Sequence, residues 1–181
     1  AQEFMVRRTE SQIGVAEVRS WAKGLPHGAA VLDLGCGHGL PISQVLVEEG
    51  CSVWGIDPSP TLLSAFRVRF PDVKVECARV EDSQLFRRSF DGGVAWGLMF
   101  LLEPGPQALV LAKISSALQQ GGRLIFTAPE EVCEWVDVLT ERQSVSLGAE
   151  AYRRILDGMG MDLLEQSQDE GDNHYYVAAK R

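Results

Sequence analysis

Ala29-Ala30-Val31-Leu32-Asp33-Leu34-Gly35-Cys36-Gly37-His38-Gly39 is the stretch on which the fold turns. Its first six residues read as a short buried strand, and they run straight into glycines at alternate positions. Residues 41–49 then read as a helix, ended by Gly50. A strand that ends in glycines and opens into a helix lets backbone approach a ligand closely. Glycine accepts positive φ and has no side chain to collide, and the helix N-terminus adds aligned N–H groups. In open parallel sheets, ligands collect at this end of the strands.

Outward from that turn the pattern repeats. Residues 51–56 predict a second strand stopping at Asp57, and Ser59 reads as an N-cap with Pro60 at the first helical position. Leu62, Leu63, Phe66 and Phe70 give that helix its apolar face. Residues 73–77, 91–95 and 123–128 predict three more strands, with a helix after Pro106 aligning Leu111, Ile114 and Leu118. Before the Gly turn, residues 11–23 read as a helix with Val15, Val18, Ala22 and Leu25 on one stripe. The chain closes on a helix over 149–158, a strand over 162–167, a polar turn and a strand over 174–179. Strands alternating with helices imply a parallel sheet covered on both faces. The expected fold is therefore α/β: a doubly wound, mostly parallel, seven-stranded sheet with an antiparallel C-terminal hairpin. Without repeat or linker, residues 1–181 count as one domain.

The residues around the turn narrow the ligand. The dinucleotide spacing G-x-G-x-x-G fails because position 40 is Leu40. Asp33 places a carboxylate where a pyrophosphate would be repelled but a cation would be welcome. S-adenosylmethionine carries a sulfonium and an amino group and has no phosphate. Asp57, 20 residues after Gly37, closes the neighbouring strand. Its carboxylate can accept hydrogen bonds from both hydroxyls of a ribose.

These two motifs make the chain resemble the class I S-adenosylmethionine-dependent methyltransferases, in particular the small type 11 group. Val31 to Gly39 resembles their first motif and Val53 to Ser59 the second. Ser89-Phe90-Asp91 is similar to the fourth, and Leu118 to Leu124 to the turn into the fifth strand. The resemblance implies a Rossmann-like methyltransferase that takes S-adenosylmethionine and releases S-adenosylhomocysteine. By it, Asp33, Leu34, Gly35, Cys36 and Gly37 would surround the methionine end, Asp57 the ribose, and Pro58 and Ser59 the adenine. Relatives often carry Asp-Ala-Glu before the fourth motif, where Arg79-Val80-Glu81-Asp82 stands here. Val80 and Glu81 are the expected contacts to the adenine edge. Trp96 is expected beside the cofactor.

Methyl transfer from a sulfonium is an in-line displacement in which orientation alone supplies up to roughly 7–11 kcal/mol. A base is needed only when the acceptor must lose a proton, and no catalytic residue stands out. The Asn-Pro-Pro-Tyr type of motif is absent after the fourth strand, and Phe100 and Leu101 replace the paired histidines of many relatives. An apolar pocket for a small molecule is expected. Residues 129–148 read as an insertion covering the acceptor, with Val132, Trp135, Val136 and Leu139 at i, i+3, i+4, i+7 predicting an amphipathic helical lid. Phe100, Trp135, Arg142 and His174 are the candidate acceptor residues, with Tyr152 and Tyr175 behind them. A catalytically idle module that binds S-adenosylmethionine and works through protein contact is the alternative.

Bulk properties bound the rest. A charge of −8, from 17 Lys and Arg against 25 acids, disfavours nucleic acid as partner. No apolar stretch approaches the roughly 20 residues that span a bilayer, so no membrane partner is expected. Cys36, Cys51, Cys77 and Cys133 show no CxxC, so no metal site is expected, and the first three are expected to be buried as small hydrophobes. The reading is a cytoplasmic protein, monomeric or homodimeric, with Ala1 to Phe4 as non-native residues ahead of an initiator Met5.

Overall fold

The computed structural model describes residues 12–137 and 141–181. A seven-stranded sheet runs through them. Its strands are β1 (Ala30–Leu34), β2 (Ser52–Asp57), β3 (Lys74–Cys77), β4 (Phe90–Ala95), β5 (Leu118–Thr127), β8 (Met161–Gln168) and β9 (His174–Lys180), in the order β3-β2-β1-β4-β5-β9-β8. The first five are parallel, and β9 enters antiparallel against β5, Thr127 opposite Tyr175. The doubly wound sheet and its reversed C-terminal hairpin are those expected from the sequence. Strand β1 is buried along its whole length, as a parallel strand covered on both faces must be.

Helices α1 (Val15–Lys23), α2 (Ile42–Glu48) and α3 (Pro60–Arg69) cover one face. Val18, Trp21 and Ala22 of α1 pack with Val45 and Leu46 of α2 over Val31, Val53, Val94 and Ile125. Leu63 and Phe66 of α3 close over Cys36. Ser59 caps α3 as expected, its hydroxyl accepting from the Leu62 N–H at 3.3 Å. Helices α4 (Pro104–Ala117) and α5 (Ala149–Gly158) cover the other face, where Leu111, Ile114, Tyr152 and Leu156 join Leu32, Leu34, Leu124, Phe126 and Tyr176. Lys180 donates to the carbonyls of Ser115 and Leu118 at 2.7 and 2.8 Å. It thus occupies the negative end of α4.

One element departs from expectation. The segment after β5 forms β6 (Val132–Val136) and β7 (Gln143–Leu147), a separate antiparallel pair, where the sequence predicts a helix. In a strand, Val132 and Val136 fall on one face and Trp135, with Cys133, on the other. Val132, Glu134 and Val136 are exposed, while Cys133 and Trp135 are half-buried. Val, Trp and Cys suit a pleated half-buried surface, and Ser144-Val145-Ser146 alternates opposite them. Leu139, the fourth member of the helical stripe, lies outside the described residues. The cysteine expectation holds in part: Cys36 is buried, Cys51 half-buried, and Cys77 exposed at the end of edge strand β3.

Candidate functional site

The chain leaves β1 through Gly35 and Gly37, at φ 71° and 55°, a region open to glycine and strained for other residues. The N–H groups of Gly35 and Cys36 both donate to the Ile56 carbonyl, at 2.8 and 3.1 Å, which lays the turn across the end of β2. Gly39 is needed for space as well as φ, since a Cβ there would stand 2.5 Å from the Phe70 ring.

Asp57 ties the two strand ends together. One carboxylate oxygen accepts from the Gly37 N–H at 3.0 Å, the other from the Ser59 N–H at 2.8 Å. A carboxylate has roughly four lone-pair sites, so each oxygen keeps capacity for a ligand hydroxyl. Burial pushes its pKa up, and the two backbone donors oppose that shift. Asp33, the second acid, is 2% exposed and accepts from the Ser43 hydroxyl of α2. Burial lifts its pKa to about 7, with the Ser43 bond opposing and the charge of Asp57 adding. Two carboxylates held out of water beside one Gly turn make a strong attractor for a cation. Ser43 carries no motif signal; only the packing of α2 against β1 brings it to Asp33.

The other expected cofactor residues divide. The Leu34 side chain faces the α4 side of the core, and the Cys36 thiol packs under the turn against Leu63 and Phe66. Only their backbones border the turn. Pro58 is exposed at the mouth, and the Ser59 hydroxyl is committed to capping α3. Val80 is a core residue whose carbonyl accepts from Lys113 at 3.0 Å. The Glu81 carboxylate pairs with Arg79 at 2.6 Å. Beyond β4 the chain folds back over the turn: a Cβ on Gly35 would meet Leu98 at 3.4 Å, and the Gly97 N–H donates to Thr127 Oγ1 at 2.8 Å. Trp96 therefore stands at the functional edge of the sheet, donating its indole N–H to the Tyr175 hydroxyl at 2.7 Å.

Of the acceptor candidates, the structure brings two together. Phe100, in a 3-10 turn spanning Met99–Leu101, meets Trp135 of β6 with ring centroids 5.4 Å apart. Arg142 is exposed at the hairpin turn. His174, at the start of β9, is half-buried, with Nε2 3.1 Å from Gln166 Oε1 and Nδ1 4.0 Å from Glu130. Tyr152 and Tyr175 are fully buried and serve the interior rather than a pocket wall. The Tyr152 hydroxyl donates to Gln107 at 2.7 Å and accepts from the Leu147 N–H at 3.3 Å. Gln107 in turn donates to the Leu102 and Val145 carbonyls at 2.8 and 2.9 Å, which clasps β7 to α4.

A sheet in this order, with a glycine turn after β1 and an acid closing β2, defines a Rossmann-like methyltransferase fold. The chain belongs to the methyltransferase domain family, whose sequence profile matches residues 31–122, a class I S-adenosylmethionine-dependent family. A ubiquinone biosynthesis O-methyltransferase of Xanthomonas axonopodis pv. citri (strain 306) is 36% identical over 109 residues. That match covers 56% of this chain and 44% of the relative, so the chain spans less than half of that protein. The fold is shared with the 1,6-didemethyltoxoflavin-N1-methyltransferase of Burkholderia thailandensis, crystallised with 1,6-didemethyltoxoflavin and S-adenosylhomocysteine. It superposes with TM-score 0.78 at 18% identity, over 99% of this chain and 86% of that one. An amino pentose methyltransferase from Micromonospora echinaspora, with S-adenosylmethionine bound, gives TM-score 0.78 at 16% identity, over 99% and 96%. Among the described residues no helix is long and apolar enough to cross a membrane.

Proposed function

We propose that this protein transfers the methyl group of S-adenosylmethionine to a small-molecule acceptor. The observation that carries the reading is the pair of buried acids, Asp33 and Asp57, on adjacent strand ends around one glycine turn. Asp57 would accept the ribose hydroxyls, and the turn with Asp33 would hold the methionine end. Pro58 would border the adenine. Val80 and Glu81 would approach its edge through backbone, since the Glu81 carboxylate is paired with Arg79. The methyl carbon would then face the space under the β6–β7 hairpin. There Phe100 and Trp135 form an aromatic wall, and a flat, largely apolar acceptor fits that wall best. The two proteins of like fold named above, a 1,6-didemethyltoxoflavin-N1-methyltransferase and an amino pentose methyltransferase, are in keeping with a small acceptor. The chemistry asks the residues for alignment and for exclusion of water more than for a base.

Calorimetric titration with S-adenosylmethionine and S-adenosylhomocysteine tests the cofactor half. Both should bind, and Asp57→Ala should weaken both at least tenfold, because hydrogen bonds to a charged group are lost. Unchanged affinity would refute that assignment. Release of S-adenosylhomocysteine in the presence of a panel of small phenols, amines and heterocycles tests the acceptor half. Binding without turnover on any member would favour the non-catalytic module.

A further inference from the structure

At the edge of the sheet, Trp96 is the first member of a buried chain of hydrogen bonds that the methyl-transfer reaction does not itself require. The Trp96 indole N–H donates to the Tyr175 hydroxyl at 2.7 Å, and that hydroxyl donates to Asp169 Oδ2, also at 2.7 Å. Asp169 belongs to the tight turn between β8 and β9 and is 8% exposed. Its oxygens also accept from the N–H groups of Gly171 and Asn173 and from the Asn173 side chain, at 2.8 to 3.1 Å. Both carboxylate oxygens are thus held in place by donors from the turn and from Tyr175. Tyr175 is completely buried, and both burial and the neighbouring Asp169 hold its phenol protonated well above the usual tyrosine range. A second acid, Glu17 of α1, adds its charge toward the same hydroxyl. Its Oε2 is buried and has no hydrogen-bond partner among the described residues. Gly14, at φ 83°, lets the chain enter α1 against this group: a Cβ there would stand 2.6 Å from the indole nitrogen and 2.8 Å from the Tyr175 oxygen.

One buried carboxylate, that of Asp169, is therefore directed through the phenol at the indole N–H, with the Glu17 charge nearby. Hydrogen bonds in such a chain polarise one another, and electron density moves from the carboxyl end toward the ring. A more electron-rich indole face binds cations better, and tryptophan is already the strongest such face among side chains. Trp96 follows β4, which lies beside β1, with Asp33 opposite Val94.

We propose that the Asp169–Tyr175–Trp96 chain is a positioning device that tunes the Trp96 face to prefer the sulfonium of S-adenosylmethionine over the neutral thioether of S-adenosylhomocysteine. Asp169 and Tyr175 act only through Trp96 and touch no ligand. The device favours the reactant and eases departure of the product, which differs from it by one methyl group and one positive charge. The inference rests on the cofactor reading above.

The test is the ratio of the two affinities. A defect in packing weakens both ligands alike, whereas loss of the chain weakens only the charged one. In Tyr175→Phe, which removes one oxygen, binding of S-adenosylmethionine should fall about twofold to tenfold, within the range of cation–π contributions. Binding of S-adenosylhomocysteine should stay within twofold. Trp96→Leu should lower the ratio at least as far, and adding Tyr175→Phe to it should change the ratio no further. Asp169→Asn gives a second route to the same readout should Tyr175→Phe fold poorly. An affinity ratio equal to that of the wild type in folded Tyr175→Phe and Asp169→Asn overturns the device while leaving the cofactor reading intact. A wild-type protein that binds neither ligand overturns that reading and the device with it.

Discussion

The glycine turn after β1 and the β6–β7 hairpin sit at the same edge of the sheet and are built on opposite terms. At the turn, nearly every constraint is local or lies one strand away. Gly35 and Gly37 bend, the Ile56 carbonyl accepts the N–H groups of Gly35 and Cys36, and Asp57 bridges Gly37 to Ser59. In the hairpin, position comes from far along the chain: Gln107 and Tyr152 hold β7, and Phe100 holds Trp135. A binding surface made of backbone admits few sequences, while one made of side chains on a clasped hairpin admits many. The first suits a constant cofactor and the second a variable acceptor.

The largest effects should come from the turn. Gly39→Ala places a Cβ 2.5 Å from the Phe70 ring and 3.1 Å from Phe66, at φ 89°. Left-handed strain and overpacking together should cost about 2–3 kcal/mol in urea unfolding. A loss below 0.5 kcal/mol would mean that the turn is less constrained than its geometry implies. Next comes Asp33. Its carboxyl holds a proton up to about 7 in the folded protein and releases it near 3.8 when unfolded. Between those values the native state binds more protons, so this group's contribution to stability is full below pH 4 and is lost as pH rises toward 7. Asp33→Asn should remove that slope, and the difference between the two unfolding free energies should grow with pH across the window. Parallel curves would show that Asp33 is ionised in the empty protein.

That contrast also explains what could be read from the sequence. The order of strands and helices, the helix over 149–158 and the C-terminal hairpin were legible from spacings of two or about 3.6, and the cap at Ser59 from a serine set before a proline. Asp33 and Asp57 were legible because they stand a fixed number of residues from the glycines. The hairpin was not. Val132, Trp135 and Val136 satisfy a helical stripe, and it is pairing with Gln143–Leu147 that puts Trp135 on one face of a strand and the two valines on the other. Nor could spacing reveal that Arg79 takes the Glu81 carboxylate or that Tyr152 is a buried clasp. Each depends on which face of a distant element arrives opposite.

Smaller effects belong to the hairpin. Trp135→Ala should leave affinity for S-adenosylmethionine within twofold, because its ring packs on Phe100 and the turn is held by its own backbone and Asp57. It should cost about 1 kcal/mol of stability, the order of one partly exposed aromatic pair. Turnover of whichever acceptor is identified should fall severalfold, mostly through KM. A matching loss of cofactor affinity would break the division between the two regions.

Arg142→Ala should do least, and it discriminates most finely. The side chain is exposed, and its backbone carbonyl accepts from the Asp137 N–H at 2.9 Å. Alanine keeps that bond, so stability should stay within about 0.5 kcal/mol, as for surface sites in general. Cofactor affinity should not move. The acceptor reaction then decides between two uses of the hairpin. If it serves as a fixed wall, only Trp135 and Phe100 matter and the Arg142→Ala enzyme turns over normally. If Arg142 instead meets an anionic or carbonyl-bearing acceptor, its guanidinium is the group that binds it. KM would then rise for such acceptors while neutral ones are unaffected.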